Sequence, residues 1–239
     1  MKAMILAAGL GTRLKPFTDK HPKALMQING KSLLHRNVEY LLSYGIKDII
    51  INIHHFPQQI IDEVNLHKNF GINITYSDET DMVLETGGGL IKAKWFFDKD
   101  PFLLMNADIL TDLDLNIMFA SHHQRQPLAT LAVTQRKSSR YFLFDEKDTL
   151  CGWKNEKTGE QKISRQKPAF KQKAFSGIHI ISPEIFNLTE SKYQGKFSII
   201  DVYIQLAKSF DIIGFDHTES KFIDVGKTES VSTAEKMFI

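Results

Sequence analysis

Cys151 is the only cysteine among 239 residues. No intramolecular disulfide and no multi-cysteine metal site can form, which fits a reducing compartment. Neither sign of charge dominates: 30 Lys and Arg stand against 28 Asp and Glu, a net charge of +2. The broad basic footprint of a nucleic-acid binder is therefore missing, and only local basic clusters are left to meet small anions. No stretch reaches the roughly 18 apolar residues that a membrane-spanning helix needs. The start, Met1–Ala8, is basic and then apolar, but the run stops at Gly9 and is followed by Arg13, Lys15 and Pro16. That is too short for an export signal with its cleavage site. Internal repeats and low-complexity linkers are absent as well. The expectation is a cytoplasmic protein, monomer or dimer, with no nucleic-acid or membrane partner.

What is present is enough to build a core. Hydrophobic residues make up 42% and charged residues 24%, close to globular averages. Buried strands are expected at Ala3–Ala8, Asp48–Ile53 and Phe102–Asn106, with further strands at Asn73–Ser77 and Ala129–Thr134. Helical periodicity falls between them, at Leu33–Ser43, Gln58–His67 and Leu113–Gln124. Strand and helix alternating at this spacing predict right-handed crossovers and a mainly parallel sheet. Beyond about residue 135 the texture changes to strands at Arg140–Phe144, Leu150–Lys154 and Ala174–Ile181. Residues 155–173, rich in Lys, Gln and Glu, are expected to form an exposed hairpin or loop. A helix Ile199–Lys208 with Ser198 as N-cap, short strands at Ile212–Phe215 and Phe222–Val225, and a last helix at Thr228–Phe238 complete the reading. The fold class is α/β, a Rossmann-like mainly parallel mixed sheet flanked by helices, with a small β-rich insertion in the second half. Residues 1–239 are expected to form one domain, split at about 135/136 into two halves.

The most informative stretch is Leu6-Ala7-Ala8-Gly9-Leu10-Gly11-Thr12-Arg13-Leu14-Lys15-Pro16-Phe17-Thr18, followed by Pro22-Lys23. A buried strand runs directly into a glycine-rich loop, where main-chain N–H groups can approach a phosphate closely. It is not a P-loop, because no Gly-Lys-Ser/Thr follows at the required spacing. Nor is it a dinucleotide fingerprint, since Leu14 stands where the third glycine belongs and Pro16 forbids an early helix. A proline-braced loop carrying Arg13, Lys15, Lys20 and Lys23 suits a polyphosphate.

That loop resembles the signature loop of the sugar-1-phosphate nucleotidylyltransferases. Further stretches agree in order along the chain. Leu84-Glu85-Thr86-Gly87-Gly88-Gly89 resembles the segment that contacts base and sugar, and Asn106-Ala107-Asp108 the strand-end metal site. Phe175-Ser176-Gly177 resembles the segment facing the sugar, and Asp224-Val225-Gly226 the second metal carboxylate. The resemblance implies a fold of the nucleotide-diphospho-sugar transferase type and a set of site residues. Leu6, Ala8, Gly9, Gly11, Thr12, Arg13 and Lys23 would hold the nucleotide, with Arg13 and Lys23 catalytic. Glu85, Thr86, Gly88, Asn106 and Gly177 would hold the sugar substrate, and Asp108 and Asp224 a Mg²⁺ cofactor. The partners are an NTP and a sugar 1-phosphate. Among the branches of the family, Glu85–Gly89, the short length and the missing C-terminal repeats look most like the N-acetylmuramate α-1-phosphate uridylyltransferases. Mannose- or heptose-1-phosphate guanylyl transfer, glucose-1-phosphate thymidylyl or uridylyl transfer, phosphocholine cytidylyl transfer and a non-catalytic nucleotide-sugar sensor stay open.

The chemistry explains the residue types. A sugar phosphate attacking an α-phosphorus is already an oxyanion, so no serine, cysteine or general base is needed. The protein has to bring two polyanions together and neutralise the transferring group. Arg13 offers a planar fork for the β- and γ-phosphates, and Lys23 a point charge between the reacting phosphates. Other residues read as structural. His54 and His55 are expected to pack rather than react, as are His21, His122, His123 and His179, and Trp95, Phe96 and Phe97 read as core. Three glycines opening a helix suggest close approach of main chain to a ligand. Two departures stand out: Ala107 replaces a frequent glycine, and no Glu-Lys-Pro segment supplies a lysine for the sugar phosphate. Lys171 and Lys173 are the available substitutes.

Overall fold

The computed structural model describes residues 1–239. The first half supplies strands β1 (Lys2–Leu6), β2 (Gln27–Ile28), β3 (Lys31–Ser32), β4 (Asp48–Ile53), β5 (Asn73–Asp78), β6 (Phe102–Asn106), β7 (Ile109–Thr111) and β8 (Ala129–Thr134). Its helices are α1 (Leu33–Ser43), α2 (Pro57–Leu66), α3 (Glu85–Lys92) and α4 (Leu115–Arg125). The second half adds β9 (Arg140–Phe144), β10 (Leu150–Asn155), β11 (Gln161–Ile163), β12 (Lys171–Ile181), β13 (Ile212–Asp216) and β14 (Phe222–Asp224). With them come α5 (Glu184–Thr189), α6 (Ile199–Leu206) and α7 (Thr228–Met237).

One sheet runs through both halves in the order β11-β10-β9-β12-β6-β1-β4-β5, and β8 joins β12 to β13 beside that path. Strands β6, β1, β4 and β5 are mutually parallel. Their side chains alternate between two apolar layers. Ala3, Ile5, Ile49, Ile51, Leu103 and Met105 face α1, α2 and α4. Met4, Ile50, Phe102 and Leu104 face α3, α5 and α6. A strand buried on both faces shows no polar alternation, which is why these segments read as unbroken aliphatic runs. The α/β class and the mainly parallel mixed sheet expected from the sequence are what the chain forms. No helix is long and apolar enough to cross a membrane.

Several boundaries and one side chain differ from expectation. The third helix begins at Leu115 rather than Leu113, because the Asp114 side chain accepts from the N–H groups of Asn116 and Ile117 and fixes the N-cap there. Helix α5 follows Pro183 and was too short, at six residues, to carry a periodic signal. Within 155–173 the expected hairpin forms where β11 pairs with β10, while Lys171–Lys173 belong to β12 and pair with β9. Trp95 is not a core residue: it is 65% exposed, and Phe96 and Phe97 alone turn inward against the second layer.

Candidate active site

Three strand ends converge. Leu6, the last residue of β1, lies opposite Asn52 of β4 on one side and Asn106 of β6 on the other. Ligands of open α/β sheets gather outside the carboxyl ends of parallel strands. Here a cavity of about 460 Å³ opens over those ends. The Asn52 carboxamide organises its floor. Its Oδ1 accepts from Ala7 N at 2.6 Å and Ala8 N at 3.3 Å, and its Nδ2 donates to Glu79 Oε1 at 2.8 Å. Glu79 is wholly buried and its other oxygen accepts from Leu84 N.

The loop after β1 makes no α-helix, only single 3-10 turns at Thr12–Leu14, Phe17–Asp19 and Lys23–Leu25. Gly11 sits at φ +61°, and a Cβ there would lie 2.9 Å from the Thr18 methyl and 3.0 Å from Lys23 Cβ. Only glycine lets the loop fold this tightly over its own far limb. Leu6, Ala8, Gly9, Gly11, Thr12, Arg13 and Lys23 all line the cavity, together with Glu85, Thr86, Asn106 and Asp108.

Lys23 Nζ is paired with Asp108 Oδ2. The other oxygen, Asp108 Oδ1, is buried with no hydrogen-bond partner. Strand β14 runs antiparallel to β7 and brings Asp224 beside it, with Val225 N donating to Asp108 O at 2.8 Å. A Cβ on Gly226 would lie 2.6 Å from Asp224 Oδ1 and 2.9 Å from Arg13 Nη2, so guanidinium and carboxylate flank the same glycine. Asp224 exposes surface to the cleft, yet protein encloses it on most sides. Burial, then the neighbouring Asp108 charge, push its carboxyl above the ordinary range, while Lys23, Arg13 and Arg136 pull the other way. An orphaned, buried carboxylate oxygen next to a second carboxylate held above its ordinary pKa is a site short of positive charge. Two hard oxygen donors of this kind suit Mg²⁺.

A second cavity, of about 450 Å³, adjoins the first across Asn106 and Ser198, which line both. Its walls are side chains: Arg136, Arg140, Tyr141, Trp153, Phe175 and Asp224 among them. Gly177 shapes the border. It sits at φ +74° where the β12–β8 register shifts between Phe175 and His179, and a Cβ there would meet Asn106 Nδ2 at 2.6 Å. This bulge bends β12 from its partners β6 and β8 toward β9. Arg136 is spent on structure, donating to Thr134 Oγ1 and to the carbonyls of Ala174 and Phe175. Arg140 is exposed and has no acidic partner.

Three expectations need correction. Gly88 lines neither cavity: a Cβ there would lie 2.2 Å from Gly195 O, and the amides of Gly87 and Gly88 both donate to Phe197 O. The glycines of α3 permit protein to approach protein, not ligand. Lys173 is a buried member of an ion-pair network with Asp148 and Asp216, at 3.0 and 3.1 Å, and points its charge there. Lys171 donates to Glu146 O. Neither lysine lines a cavity. His54 and His55 do pack as expected, against the carbonyls of Glu79 and Thr18. Asn52, Glu79 and Arg140 were missed. A lone Asn in the aliphatic run Asp-Ile-Ile-Ile-Asn-Ile was the available signal for the first.

The family model described as Nucleotidyl transferase matches residues 2–238. The mannose-1-phosphate guanyltransferase of Yarrowia lipolytica is 29% identical over 247 residues, covering 100% of this chain and 64% of that protein. The N-acetylmuramate alpha-1-phosphate uridylyltransferase of Neisseria meningitidis serogroup B is 42% identical over 119 residues, covering 50% of this chain and 52% of that one. The chain thus spans about half to two thirds of the length of these curated relatives. Among solved structures, HddC from Yersinia pseudotuberculosis superposes with a TM-score of 0.81 at 25% identity, covering 100% of this chain and 99% of that one.

Proposed function

Since the chain belongs to the nucleotidyl transferase family, we propose that it transfers a nucleotidyl group from an NTP to a sugar 1-phosphate and releases pyrophosphate. The first assignment is UTP and N-acetylmuramate 1-phosphate, in the cytoplasm, for reuse of cell-wall sugar. One observation carries this reading: the cations Arg13 and Lys23 meet the carboxylates Asp108 and Asp224 where two cavities share a wall. In this reading one domain holds the nucleotide with residues 1–135 and the sugar phosphate with 136–239.

The loop main chain between Ala8 and Thr12 cradles the triphosphate, and Arg13 forks onto its β- and γ-phosphates. Asp108 and Asp224 would hold a Mg²⁺ ion, which when bound neutralises charge on the transferring phosphoryl group. Lys23 then adds a second positive charge between the reactants, and its pairing with Asp108 fixes where that charge lies. The sugar phosphate supplies its own oxyanion, so the enzyme's contribution is alignment and electrostatics. The unpaired Arg140 beside Trp153 and Tyr141 supports an acidic sugar, because N-acetylmuramate carries a lactyl carboxylate that a guanidinium binds well.

The test is a screen of each NTP against a panel of sugar 1-phosphates with Mg²⁺, followed by pyrophosphate release. Highest kcat/KM is expected for UTP with N-acetylmuramate 1-phosphate. No release from any pair overturns the activity. Preference for GTP with mannose 1-phosphate keeps the reaction and replaces the substrates.

A further inference from the structure

Away from both cavities, α1 and α2 bring two histidines and a carboxylate together. Glu63 and His67 are four residues apart at the end of α2 and so share one face of it. His35 lies in the first turn of α1. His35 Nδ1 and His67 Nε2 are 3.1 Å apart, Glu63 Oε1 is 3.9 Å from His67 Nε2, and all three ligand atoms fall within 4.8 Å of one another. The side chains of His35 and Glu63 are largely buried and that of His67 half-buried.

We propose that His35, Glu63 and His67 form a zinc-type divalent-cation site that ties α1 to α2. A tetrahedral Zn²⁺ with bonds of about 2.0–2.1 Å has donors about 3.3–3.4 Å apart, and the observed 3.1 and 3.9 Å bracket that edge. The outer contacts are those such a site uses. Glu39 Oε1 lies 3.1 Å from His35 Nε2, so that nitrogen donates and Nδ1 keeps its lone pair toward His67. Ser32 Oγ donates to Glu63 Oε1 at 2.5 Å and orients the carboxylate. Phe70 closes the apolar side, with its ring 5.1 Å from His67 and 5.0 Å from His35. To reach that position the chain runs through Lys68, Asn69 and Phe70 at φ 51°, 52° and 52°, three successive left-handed residues of the kind that accumulate at ligand clamps. Two imidazoles and one carboxylate favour Zn²⁺ over Mg²⁺, unlike the all-oxygen pair Asp108 and Asp224.

Both helices also brace the reaction cleft. Asn37 of α1 donates to Ala107 O, next to Asp108, and Gln59 of α2 donates to Lys20 O, ahead of Lys23. A tie between these helices therefore holds the two limbs that carry Asp108 and Lys23.

The experiment uses the full chain, stripped with chelator, in an Asp108→Asn/Asp224→Asn background that silences the acidic pair. Calorimetric titration with Zn²⁺ should give one equivalent. Substituting Co²⁺ should give the visible absorption of a four-coordinate site with imidazole ligands. His67→Gln or His35→Gln should each weaken Zn²⁺ binding by at least about 100-fold, the upper end of what even an outer partner contributes. Zinc should raise the Tm of the background protein and not of either histidine variant. Absence of saturable uptake overturns the proposal, as does affinity unchanged by both histidine replacements. If one variant fails to fold, the other and the Co²⁺ spectrum of the background protein still decide.

Discussion

The two cavities are almost equal in volume, about 460 and 450 Å³, yet they are built from different material. The first combines the main chain of a small-residue loop with the charged side chains Arg13, Lys23, Glu79, Glu85 and Asp108 around the ends of parallel strands. The second is made of long side chains on antiparallel strands beside a bulge. Main-chain donors can serve any triphosphate, whereas Arg140 is exposed and unpaired and is the wall residue most open to replacement; Tyr141 accepts from Ser138 N and Trp153 packs on the second apolar layer. On the proposed function, the chemistry common to any triphosphate would sit in the first cavity and the choice of sugar in the second. The largest expected effect falls on the carboxylate next to their common wall. Asp108→Asn should lower turnover by about 10²–10³-fold or more, at least the range for loss of one preorganised hydrogen-bond donor to the transition state. Lys23→Ala should do nearly the same and should also lower Tm, because it leaves the largely buried Asp108 without its ion-pair partner. Pyrophosphate release and thermal melts check both. Turnover retained in Asp108→Asn would remove the carboxylate pair from the reaction.

Acid should separate the two regions next. Three buried histidines sit on or against β8 and β12. His122 bonds Thr130 Oγ1, His179 bonds the Tyr203 hydroxyl, and His217 bonds Ser176 Oγ. Burial pushes them down from 6.5 to about 4, about 3 and about 4. His217 Nδ1 is buried with no acceptor, so a proton there would be unpaired. Folded values below unfolded ones mean that the unfolded chain takes up protons first. Stability is complete above about pH 6.5 and is lost as pH falls toward 4, by up to ~1.4 kcal/mol per unit for each histidine. Asp224, displaced upward, opposes this only in the carboxylate range. Hydrogen exchange between pH 7 and 5 should show opening at Thr130–Ile181 before the β1–β4 ladder. Uniform opening across both would break the comparison.

A smaller effect tests the floor of the first cavity. Asn52→Ala removes the acceptor for Ala7 N and Ala8 N and leaves Glu79 Oε1 buried and unpaired, a cost of about 1–3 kcal/mol. At about 2–4 °C per kcal/mol the loss is visible in Tm, and KM for the NTP should rise more than KM for the sugar phosphate. Asn52 also marks how far the sequence could be read. The strands β1, β4 and β6 were legible because burial on both faces leaves unbroken aliphatic runs, and the cationic loop because glycine and proline occur where main chain must turn. Arg13 and Lys23 belong to that loop and Asp108 and Asp224 to strand ends, so in each case one segment carries the signal. Gly88, Lys173 and Trp95 were misread because their surroundings come from distant chain: Gly195 and Phe197, Asp148 and Asp216, and open solvent. Arg140 gave no signal for the same reason, since its neighbours in the cavity lie on β10, β12 and α6.

Arg140 therefore provides the finest cut between the two regions. Its guanidinium is exposed at the second cavity and forms no ion pair, while its neighbour Lys162 is engaged by Asp201 at 2.8 Å and stacks over Trp153. Of the three cations in this wall, Lys162 is ion-paired and Arg136 donates to Thr134 and two carbonyls, which leaves Arg140 as the one free to meet an anionic group of the sugar. Arg140→Ala should raise KM for N-acetylmuramate 1-phosphate by about 10-fold, equivalent to ~1.4 kcal/mol for a partly solvated charged contact. KM for UTP and kcat should stay within about twofold, because the proposed triphosphate contacts lie across Asn106 in the other cavity. Against N-acetylglucosamine 1-phosphate, which lacks the carboxylate, the same variant should lose almost nothing. Equal losses with both sugars would mean that Arg140 binds the phosphate common to them, and the division between a shared main-chain cavity and a selective side-chain cavity would then have to be redrawn at β9.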